Sequence, residues 1–320
     1  MKKVLLTGGS GFLGRHVAEA ARQRGCEVFA PSRRQLDLES ADAASACMDE
    51  LLKAHSTVDV IVHAAAYCGG IAINQAEPAA MLCKNCRMGL NVFELARRYH
   101  VPKVLAVGSA CAYPGSGQGD LREESFRDGP PHESVEAYGF AKRLLLAAQR
   151  AYHAQHGIES NHLVLASLFG PHDAFDEYRS HVVAAMIRKF TAGADKVVLW
   201  GDGSAVREFL YVEDAAEAIV RAIDLDHDLV PLNVGTGVGT STRALAELIA
   251  KLTGFAGRIE WDATRPAGTS RKVLDVTRMR QRLGWSPQWP LERRLAETIE
   301  WYRANGPAGE PPATASPAGS

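Results

Sequence analysis

A strand, a glycine turn and a helix open the chain in that order, and this arrangement constrains the fold more than any other feature. Residues 4–6 (VLL) form a short apolar run that indicates a buried strand, and Gly8, Gly11 and Gly14 follow with the spacing G-x-x-G-x-x-G. Beyond Gly14 the apolar residues recur with the period of a helix. Glycines let the backbone approach a pyrophosphate closely, and a helix N-terminus offers it unpaired N–H groups. The order therefore predicts a dinucleotide site, with an ordinary glycine-rich turn as the alternative.

Strand and helix patterns alternate through the first half of the chain. Short strands are predicted over 27–30, 58–63, 103–107 and 161–165, and helices over 41–54, 79–99 and 134–153. This alternation indicates an α/β fold with a doubly wound parallel sheet of the Rossmann type. Such a sheet binds its ligands at the carboxyl ends of its strands.

The pattern becomes less regular beyond Phe169, where a smaller α/β domain is expected. Strands are predicted over 197–199, 231–234 and 258–261, and helices over 213–224, 240–253 and 291–303, with a short helix between Asp275 and Gly284. We expect a dinucleotide-binding domain over 1–168 and a substrate domain mainly over 169–305, with about 205–236 returning to the first domain. Residues 306–320 are almost all Gly, Pro, Ala, Ser and Thr, so a disordered tail is expected there.

Composition argues against several classes of partner. The chain has 320 residues and a net charge of −1, so neither nucleic acid nor an anionic membrane surface is expected. No stretch approaches the ~20 apolar residues of a membrane span, and the first strand leaves no room for a leader, so a cytoplasmic location is expected. The six cysteines are then expected to be free thiols. Cys83 and Cys86 have C-x-x-C spacing without a second pair, so no metal site is predicted.

The stretch after the second predicted strand bears on which nicotinamide dinucleotide binds. Folds that bind NAD carry an Asp or Glu there, about 20 residues beyond the glycines, which holds the ribose 2′-hydroxyl. Residues 30–34 (APSRR) contain no carboxylate, and Arg33 or Arg34 would instead meet a 2′-phosphate as a permanently charged fork. The sequence thus predicts NADP(H), with Arg33 as the first candidate and Asp37 as a partner for the adenine amino group. Two solvated surface arginines are the alternative.

A serine, a tyrosine and a lysine form the predicted chemical centre. Ser109 follows the fourth predicted strand directly, and Tyr138 and Lys142 lie four residues apart on one helical face. A lysine one turn from a tyrosine favours the phenolate, so we expect a lowered tyrosine pKa and proton exchange with a carbonyl or alcohol oxygen near neutral pH. Ser109 would donate a second hydrogen bond to that oxygen, and Lys142 would also hold the nicotinamide ribose.

With these motifs in place, the chain resembles the extended short-chain dehydrogenase/reductase family, which includes the NAD-dependent epimerases and dehydratases, up to about residue 303. The resemblance is carried by AAAYCGGI at 64–71, GSACAYP at 108–114, SHV at 180–182, WGDG at 200–203, REFL at 207–210, NVGTG at 233–237 and RKVLDVTR at 271–278. These stretches are most similar to the branch that converts GDP-4-keto-6-deoxy-D-mannose to GDP-L-fucose, above all in the cysteine two residues after the serine. The resemblance implies an NADP(H)-dependent enzyme that epimerises carbons 3 and 5 and reduces the keto group at carbon 4.

The resemblance also implies site residues by position. Ser109, Tyr138 and Lys142 would be the reductase triad. Cys111 and His181 would be the acid/base pair of epimerisation, and an extended backbone would point Ser109 and Cys111 to the same side. Cofactor contacts are implied at Gly8, Ser10, Gly11, Phe12, Leu13, Gly14, Arg33, Asp37, Ala65, Val107, Lys142, Leu165, Leu168 and His181, and substrate contacts at Lys189, Trp200, Arg207 and Asp275.

Departures from the family pattern fall on the expected sugar pocket. Lys189 stands where an arginine is expected, and residues 166–170 (ASLFG) lack the family's threonine–asparagine pair. Lysine keeps the charge but loses bidentate recognition of a phosphate. Two alternatives therefore stay open: a related enzyme that epimerises, reduces or dehydrates a different nucleotide-hexose, and a protein that only senses NADP(H). Helices 79–99 and 134–153 would pair into the four-helix bundle of a homodimer.

Overall fold

The computed structural model describes residues 1–116, 119–265 and 268–306 of the chain. Numbered along the chain, the strands are β1 (Lys3–Thr7), β2 (Glu27–Phe29), β3 (Val60–His63), β4 (Lys103–Ser109), β5 (Glu159–Leu165), β6 (Ser167–Phe169), β7 (Lys196–Trp200), β8 (Val206–Tyr211), β9 (Leu232–Val234), β10 (Gly239–Ser241), β11 (Arg258–Asp262) and β12 (Arg271–Lys272). The helices are α1 (Phe12–Gln23), α2 (Ala41–His55), α3 (Ile71–Ala76), α4 (Pro78–Arg98), α5 (Glu136–His156), α6 (Val182–Thr191), α7 (Val212–Ala222), α8 (Thr242–Thr253), α9 (Thr277–Leu283) and α10 (Leu291–Asn305).

A six-stranded sheet in the order β2-β1-β3-β4-β5-β9 forms the centre of the first half, and every neighbouring pair in it is parallel. Val4 and Leu6 of β1 belong to one apolar cluster and Leu5 to another, so both faces of the strand are buried. The chain runs outward from β1 to β2 and then crosses to β3 on the other side of β1. The reversal leaves a crevice at the carboxyl ends of β1 and β3, where such sheets bind ligands. The predicted doubly wound Rossmann class is confirmed.

Shorter sheets make up the second half. Strand β8 pairs in parallel with β6 and β12 and antiparallel with β10, while β7 pairs in parallel with β11. A separate apolar cluster fills this half, and Phe169, Ile187 and Leu245 are almost completely buried in it. After β8 the chain returns to the large sheet, since α7 packs on α1 and β9 pairs with β5. The limits of the two domains, 1–168 and 169–305, stay a prediction.

Several features differ from what the sequence pattern predicts. Helix α3 and strands β6, β8, β10 and β12 are additional to the predicted elements. Most of them are too short to show a clear periodicity. Ser109 is followed by a 3-10 turn at Ala110–Ala112, not by extended backbone, and its hydroxyl accepts the Cys111 N–H at 3.2 Å. The tail predicted at 306–320 lies, except for Gly306, outside the described residues. Within the described parts of the chain, no helix is long and apolar enough to cross a membrane.

Candidate active site

A cavity of about 680 Å³ opens at the carboxyl ends of the large sheet and is lined from both halves of the described chain. Nearly all the predicted site residues lie in its lining: Gly8, Ser10, Gly11, Phe12, Leu13, Gly14, Arg33, Asp37, Ala65, Val107, Ser109, Cys111, Tyr138, Lys142, Leu165, Leu168, His181, Lys189, Trp200 and Arg207. Segments that are distant in the sequence therefore meet in one site.

Asp275 is the exception among the predicted residues. It is not in the lining that the described residues form. Its Oδ1 accepts the Thr277 N–H at 2.9 Å, at the start of α9, and its Oδ2 lies 3.7 Å from the Arg122 Nε. The structure thus gives Asp275 a hydrogen bond to the first residue of α9, and its predicted contact with substrate stays a prediction.

The glycine turn between β1 and α1 forms the end of the cavity that fits a diphosphate. Gly8 has a φ of +73°, and a Cβ there would lie 2.7 Å from the Ala65 backbone. A Cβ on Gly14 would lie 2.0 Å from the Gly8 carbonyl oxygen, so α1 approaches the turn this closely only with glycine at position 14. Helix α1 begins at Phe12, and the first N–H groups of a helix have no partner within it. The turn and the helix N-terminus together fit the diphosphate of a dinucleotide.

Arg33 and Arg34 are both exposed, and of the two only Arg33 is in the cavity lining that the described residues form. The Arg33 Nη2 donates to Glu39 Oε1 at 2.6 Å, and the Glu39 N–H donates to Asp37 Oδ1 at 3.0 Å. The Arg33 side chain is 73% exposed, so a phosphate has access to its guanidinium. Glu39 also lines the cavity. It was not predicted, because a ribose-binding carboxylate is expected at the end of β2 and Glu39 lies well beyond that point.

Helix α5 places Tyr138 and Lys142 in the cavity lining, together with Ser109 at the end of β4. Ser109 lies near enough to the Tyr138 phenol to lower its pKa as a hydrogen-bonding neighbour. The buried Lys142 Nζ donates to the Val107 carbonyl at 2.9 Å and lies 5.6 Å from the centre of the Tyr138 ring. The structure therefore brings the three predicted residues together, with the lysine anchored on the strand that carries the serine.

The pKa of Tyr138 shifts in the direction opposite to the prediction. Burial raises it well above the usual value for tyrosine, Cys68 and Cys111 raise it further, and the Ser109 hydrogen bond lowers it. Burial also lowers the pKa of Lys142 to about 8. Because burial raises the pKa of Tyr138, the phenol stays protonated at neutral pH and is ready to donate a proton.

Cys111 has a cationic neighbour that was not predicted. The Lys272 Nζ lies 3.6 Å from the Cys111 Sγ. Burial raises the pKa of the Cys111 thiol, but Lys272, Ser109 and His181 together outweigh burial, and the pKa falls below its usual value. A lowered pKa increases the fraction of thiolate, which is the form that removes a proton. Lys272 lies in the stretch 271–278, where nothing in the spacing distinguishes it from a surface lysine.

His181, immediately before α6, has an acidic neighbour. Its Nδ1 lies 4.0 Å from Oδ1 of Asp173, whose other oxygen is buried without a hydrogen-bond partner among the described residues. Burial lowers the pKa of His181, but Asp173 and the charge of Cys111 raise it, and the net shift is upward. The surroundings thus favour a thiolate at Cys111 and an imidazolium at His181, which are a base and an acid in one cavity.

Cationic and aromatic side chains line the cavity where α6, β7 and β8 meet. Lys189 donates to the Val198 carbonyl at 2.7 Å, which holds its ammonium group on β7. The adjacent Arg188 also lines the cavity, and its buried Nε has no hydrogen-bond partner within the described residues. Arg207 lines the same region, and Trp200 is 43% exposed there. Guanidinium groups and an exposed ring suit the phosphates and the base of a nucleotide.

Comparison with known proteins places this site in a family. The model of the NAD dependent epimerase/dehydratase family matches residues 4–235. The chain is 35% identical over 318 residues to GDP-L-fucose synthase of Escherichia coli (strain K12), with 95% of this chain and 97% of that protein covered. It is 33% identical over 308 residues to GDP-L-fucose synthase 1 of Arabidopsis thaliana, with 95% and 94% covered. The chain belongs to the NAD-dependent epimerase/dehydratase family, and the predicted family and its enzymatic character are confirmed.

A solved structure shows the same fold. The crystal structure of a GDP-6-OMe-4-keto-L-xylo-heptose reductase from C. jejuni superposes on the chain with a TM-score of 0.85 at 24% sequence identity. The superposition covers 95% of this chain and 98% of that one. The likeness extends over both halves of the described chain and is a likeness of fold.

Proposed function

We propose that the chain is an NADPH-dependent epimerase-reductase that converts GDP-4-keto-6-deoxy-D-mannose to GDP-L-fucose. The observation that carries the proposal is the presence of two pairs in one cavity. The first pair, Ser109 and Tyr138, can donate hydrogen bonds to one substrate oxygen. The second pair, Cys111 and His181, has pKa values shifted in opposite directions. The GDP-L-fucose synthases to which the chain is similar support the choice of sugar and base.

The cofactor end of the cavity supports NADPH. The glycine turn would hold the diphosphate, and Arg33 would exchange Glu39 for the 2′-phosphate, which carries more charge and suits the guanidinium fork. Asp37 would accept a hydrogen bond from the adenine amino group, and Lys142 would hold the nicotinamide ribose. When bound, NADPH supplies the hydride that carbon 4 of the sugar receives.

Reduction of the keto group needs a proton donor at the oxygen of carbon 4. Tyr138, protonated at neutral pH because burial raises its pKa, donates that proton while Ser109 donates a hydrogen bond to the same oxygen. The phenolate that forms is stabilised by the nearby ammonium group of Lys142. The carbonyl thus gains one hydride at carbon and one proton at oxygen, and Tyr138 regains its proton from solvent.

Epimerisation uses the same oxygen-binding pair. The C–H bonds at carbons 3 and 5 flank the carbonyl, and removal of either proton leaves an enolate whose charge lies on the oxygen held by Ser109 and Tyr138. The Cys111 thiolate removes the proton from one face of the ring, and the His181 imidazolium returns a proton to the other face. Proton exchange with solvent restores both groups before the second carbon reacts.

The diphosphate of the substrate has cationic partners of its own. The buried and unpartnered Nε of Arg188 suits a phosphate oxygen, while Lys189 and Arg207 add positive charge beside it. Trp200 offers an exposed face to the base or the ribose. We therefore assign the substrate diphosphate to Arg188 before Lys189, whose ammonium group is engaged with β7.

A homodimer and a cytoplasmic location complete the proposal. Helices α4 and α5 pack on each other, and the outward residues Leu82, Leu90 and Phe140 are each at least 40% exposed. An apolar surface of this kind on two long helices suits pairing with a second copy. All six cysteines are free thiols, which suits a reducing compartment. Light scattering after size-exclusion chromatography would test the dimer.

A second candidate keeps the chemistry and changes the sugar. Ala166 and Ser167 line the cavity where the family pattern has threonine and asparagine, so the sugar pocket offers different hydrogen bonds. A thermal-shift panel of GDP-, UDP-, dTDP- and CDP-sugars in the presence of NADPH distinguishes the two candidates. Stabilisation by GDP-sugars alone supports the first, and a larger shift with another base supports the second.

Incubation in heavy water without NADPH tests the proposed reaction. The wild type is expected to wash deuterium from solvent into carbons 3 and 5 of the 4-keto-6-deoxy substrate. Cys111→Ala and His181→Ala are each expected to suppress that exchange and to leave NADPH binding intact. Full exchange in both variants would remove them as the acid/base pair, and reduction without any exchange in the wild type would make the enzyme a reductase alone.

A further inference from the structure

Two tyrosines from opposite halves of the cavity rim share one carboxylate. The Tyr67 hydroxyl donates to Glu77 Oε2 at 2.6 Å, and the Tyr178 hydroxyl donates to Glu77 Oε1 at 2.8 Å. Both tyrosines line the cavity, whereas Glu77 is not in the lining that the described residues form. We call these three residues the clasp. Phenol groups donating to a carboxylate form charge-assisted hydrogen bonds, which are stronger than neutral ones.

On one side the clasp is anchored to α4. The buried side chain of Asn85 accepts the Tyr67 N–H at 2.9 Å and donates to the Tyr67 carbonyl at 2.8 Å. The Lys84 Nζ lies 4.2 Å from the centre of the Tyr67 ring, in cation–π contact. Glu77 directly precedes Pro78, the first residue of α4. Tyr67 and Glu77 are therefore held on a rigid helix of the large-sheet half.

On the other side the clasp reaches a turn that ends at His181. Asp176 Oδ1 accepts the N–H groups of Tyr178 and Arg179, which fixes the turn internally. The Gly70 N–H donates to the Arg179 carbonyl at 3.2 Å, and a Cβ on Gly70 would lie 2.6 Å from the Ser180 carbonyl oxygen. The turn at 176–180 is thus packed on 69–70 by backbone contact, and Tyr178 adds the side-chain link.

We propose that Glu77 is a positioning residue, which through Tyr67 and Tyr178 holds the turn at 176–180 against the large-sheet half and so fixes His181 over the cavity. This role rests on the proposed function of His181. Proton delivery needs the imidazole within hydrogen-bond reach of the sugar carbon, and a small displacement of the turn carries the ring out of reach. Glu77 itself touches neither the cavity nor His181.

The first test uses no substrate. Amide hydrogen exchange followed by mass spectrometry is measured for peptides covering 67–77 and 176–182 in the wild type, Tyr178→Phe and Glu77→Ala. Loss of one or both hydrogen bonds to Glu77 is expected to speed amide exchange in 176–182 about threefold to tenfold. The control is Tyr152→Phe, which removes a hydroxyl donating to Glu94 between α4 and α5, away from the cavity. Exchange in 176–182 that is equal in all four proteins overturns the clasp.

The second test measures deuterium wash-in at carbons 3 and 5. Tyr178→Phe and Glu77→Ala are each expected to lower the kcat of deuterium wash-in about threefold to tenfold, with NADPH affinity unchanged. The double variant is expected to match Glu77→Ala, because both changes break the same link. A double variant clearly slower than Glu77→Ala would assign Tyr178 a direct contact with substrate and overturn the positioning role. Normal wash-in despite faster amide exchange overturns it as well.

A wild type that shows no wash-in overturns the proposed function and this role with it. That failure is distinguishable from failure of the clasp, because the amide exchange of the substrate-free protein reports on the clasp alone.

Discussion

The two ends of the cavity are built in different ways. The part of the cofactor end that fits the phosphates comes from one short piece of chain: β1, the glycine turn, the start of α1 and Arg33. In the proposed function it would bind the cofactor through backbone N–H groups, close backbone approach and a permanently charged guanidinium. The reacting end collects Ser109, Cys111, Tyr138 and His181 from separate segments, and all of them except Ser109 are titratable. Changes at the cofactor end should therefore alter affinity, while changes at the reacting end should alter rates and their dependence on pH.

The largest effect is expected for a substitution at the reacting end that changes the rate of reduction and leaves cofactor affinity unchanged. Tyr138→Phe keeps the ring and its packing but removes the proton, so reduction is expected to fall about a thousandfold while NADPH binding is unchanged. Stopped-flow decay of NADPH absorbance and fluorescence titration measure the two quantities. Tyr302→Phe, which makes the same chemical change outside the cavity lining, serves as the control. Near-normal turnover of Tyr138→Phe would mean that another group donates the proton.

At the cofactor end, the next largest effect is expected for Arg33→Ala. Loss of a charge-assisted contact with the 2′-phosphate costs about 1.5–3 kcal/mol, which is roughly a 10- to 150-fold loss of NADPH affinity. NADH has no 2′-phosphate, so its affinity is expected to change little. Calorimetric titration of both cofactors checks the difference.

Glu39→Gln is the matched variant for Arg33. It removes the negative charge of Glu39, whose Oε1 lies 2.6 Å from the Arg33 Nη2. NADPH is therefore expected to bind equally well or several-fold more tightly. Equal affinity of the wild type for NADPH and NADH would contradict both expectations and would leave the Arg33–Glu39 pair as a surface ion pair.

The difference between the ends also explains what could be predicted from the sequence. The glycine turn and the Tyr138–Lys142 pair are local patterns, so their spacing in the sequence is enough to locate them and to indicate the fold class. Lys272, Asp173 and Arg188 are placed by the second half of the fold, and no spacing links them to Ser109. The direction of the Tyr138 pKa was predicted wrongly because burial raises that pKa, and a spacing of four residues does not show how deeply the phenol is buried.

A smaller effect is expected at Lys272, and it probes the electrostatics of the reacting end. Lys272→Met removes the positive charge 3.6 Å from the Cys111 Sγ, so the pKa of the thiol should rise. Less thiolate is then present at neutral pH, and wash-in at carbons 3 and 5 is expected to fall about tenfold there. Because the group must lose a proton to act, the acid limb of the pH–rate profile moves to higher pH and the rate recovers as pH rises.

Lys251→Met is the control for that variant, since Lys251 is exposed and pairs with Glu292 on the surface. A Lys272→Met enzyme with an unmoved acid limb and a raised KM would show that the lysine binds substrate and does not tune Cys111. Cys111→Ser should abolish wash-in at every pH tested, because a serine hydroxyl does not ionise in this range.

The smallest expected effect is at Asp275, which lies outside the cavity lining among the described residues. Asp275→Ala removes the acceptor of the Thr277 N–H and should lower the free energy of unfolding by about 1 kcal/mol, with NADPH affinity and wash-in unchanged. The hydrogen bonds to Thr277 lower the pKa of Asp275 in the folded protein, so its stabilising effect is present above the usual range of about 3.9 and is lost as pH falls below it. Urea unfolding of wild type and variant should therefore differ at pH 7 and converge toward pH 3. If Asp275→Ala instead binds the nucleotide-sugar more weakly and its free energy of unfolding is unchanged, then Asp275 contacts the substrate. The reacting end would in that case extend to the start of α9.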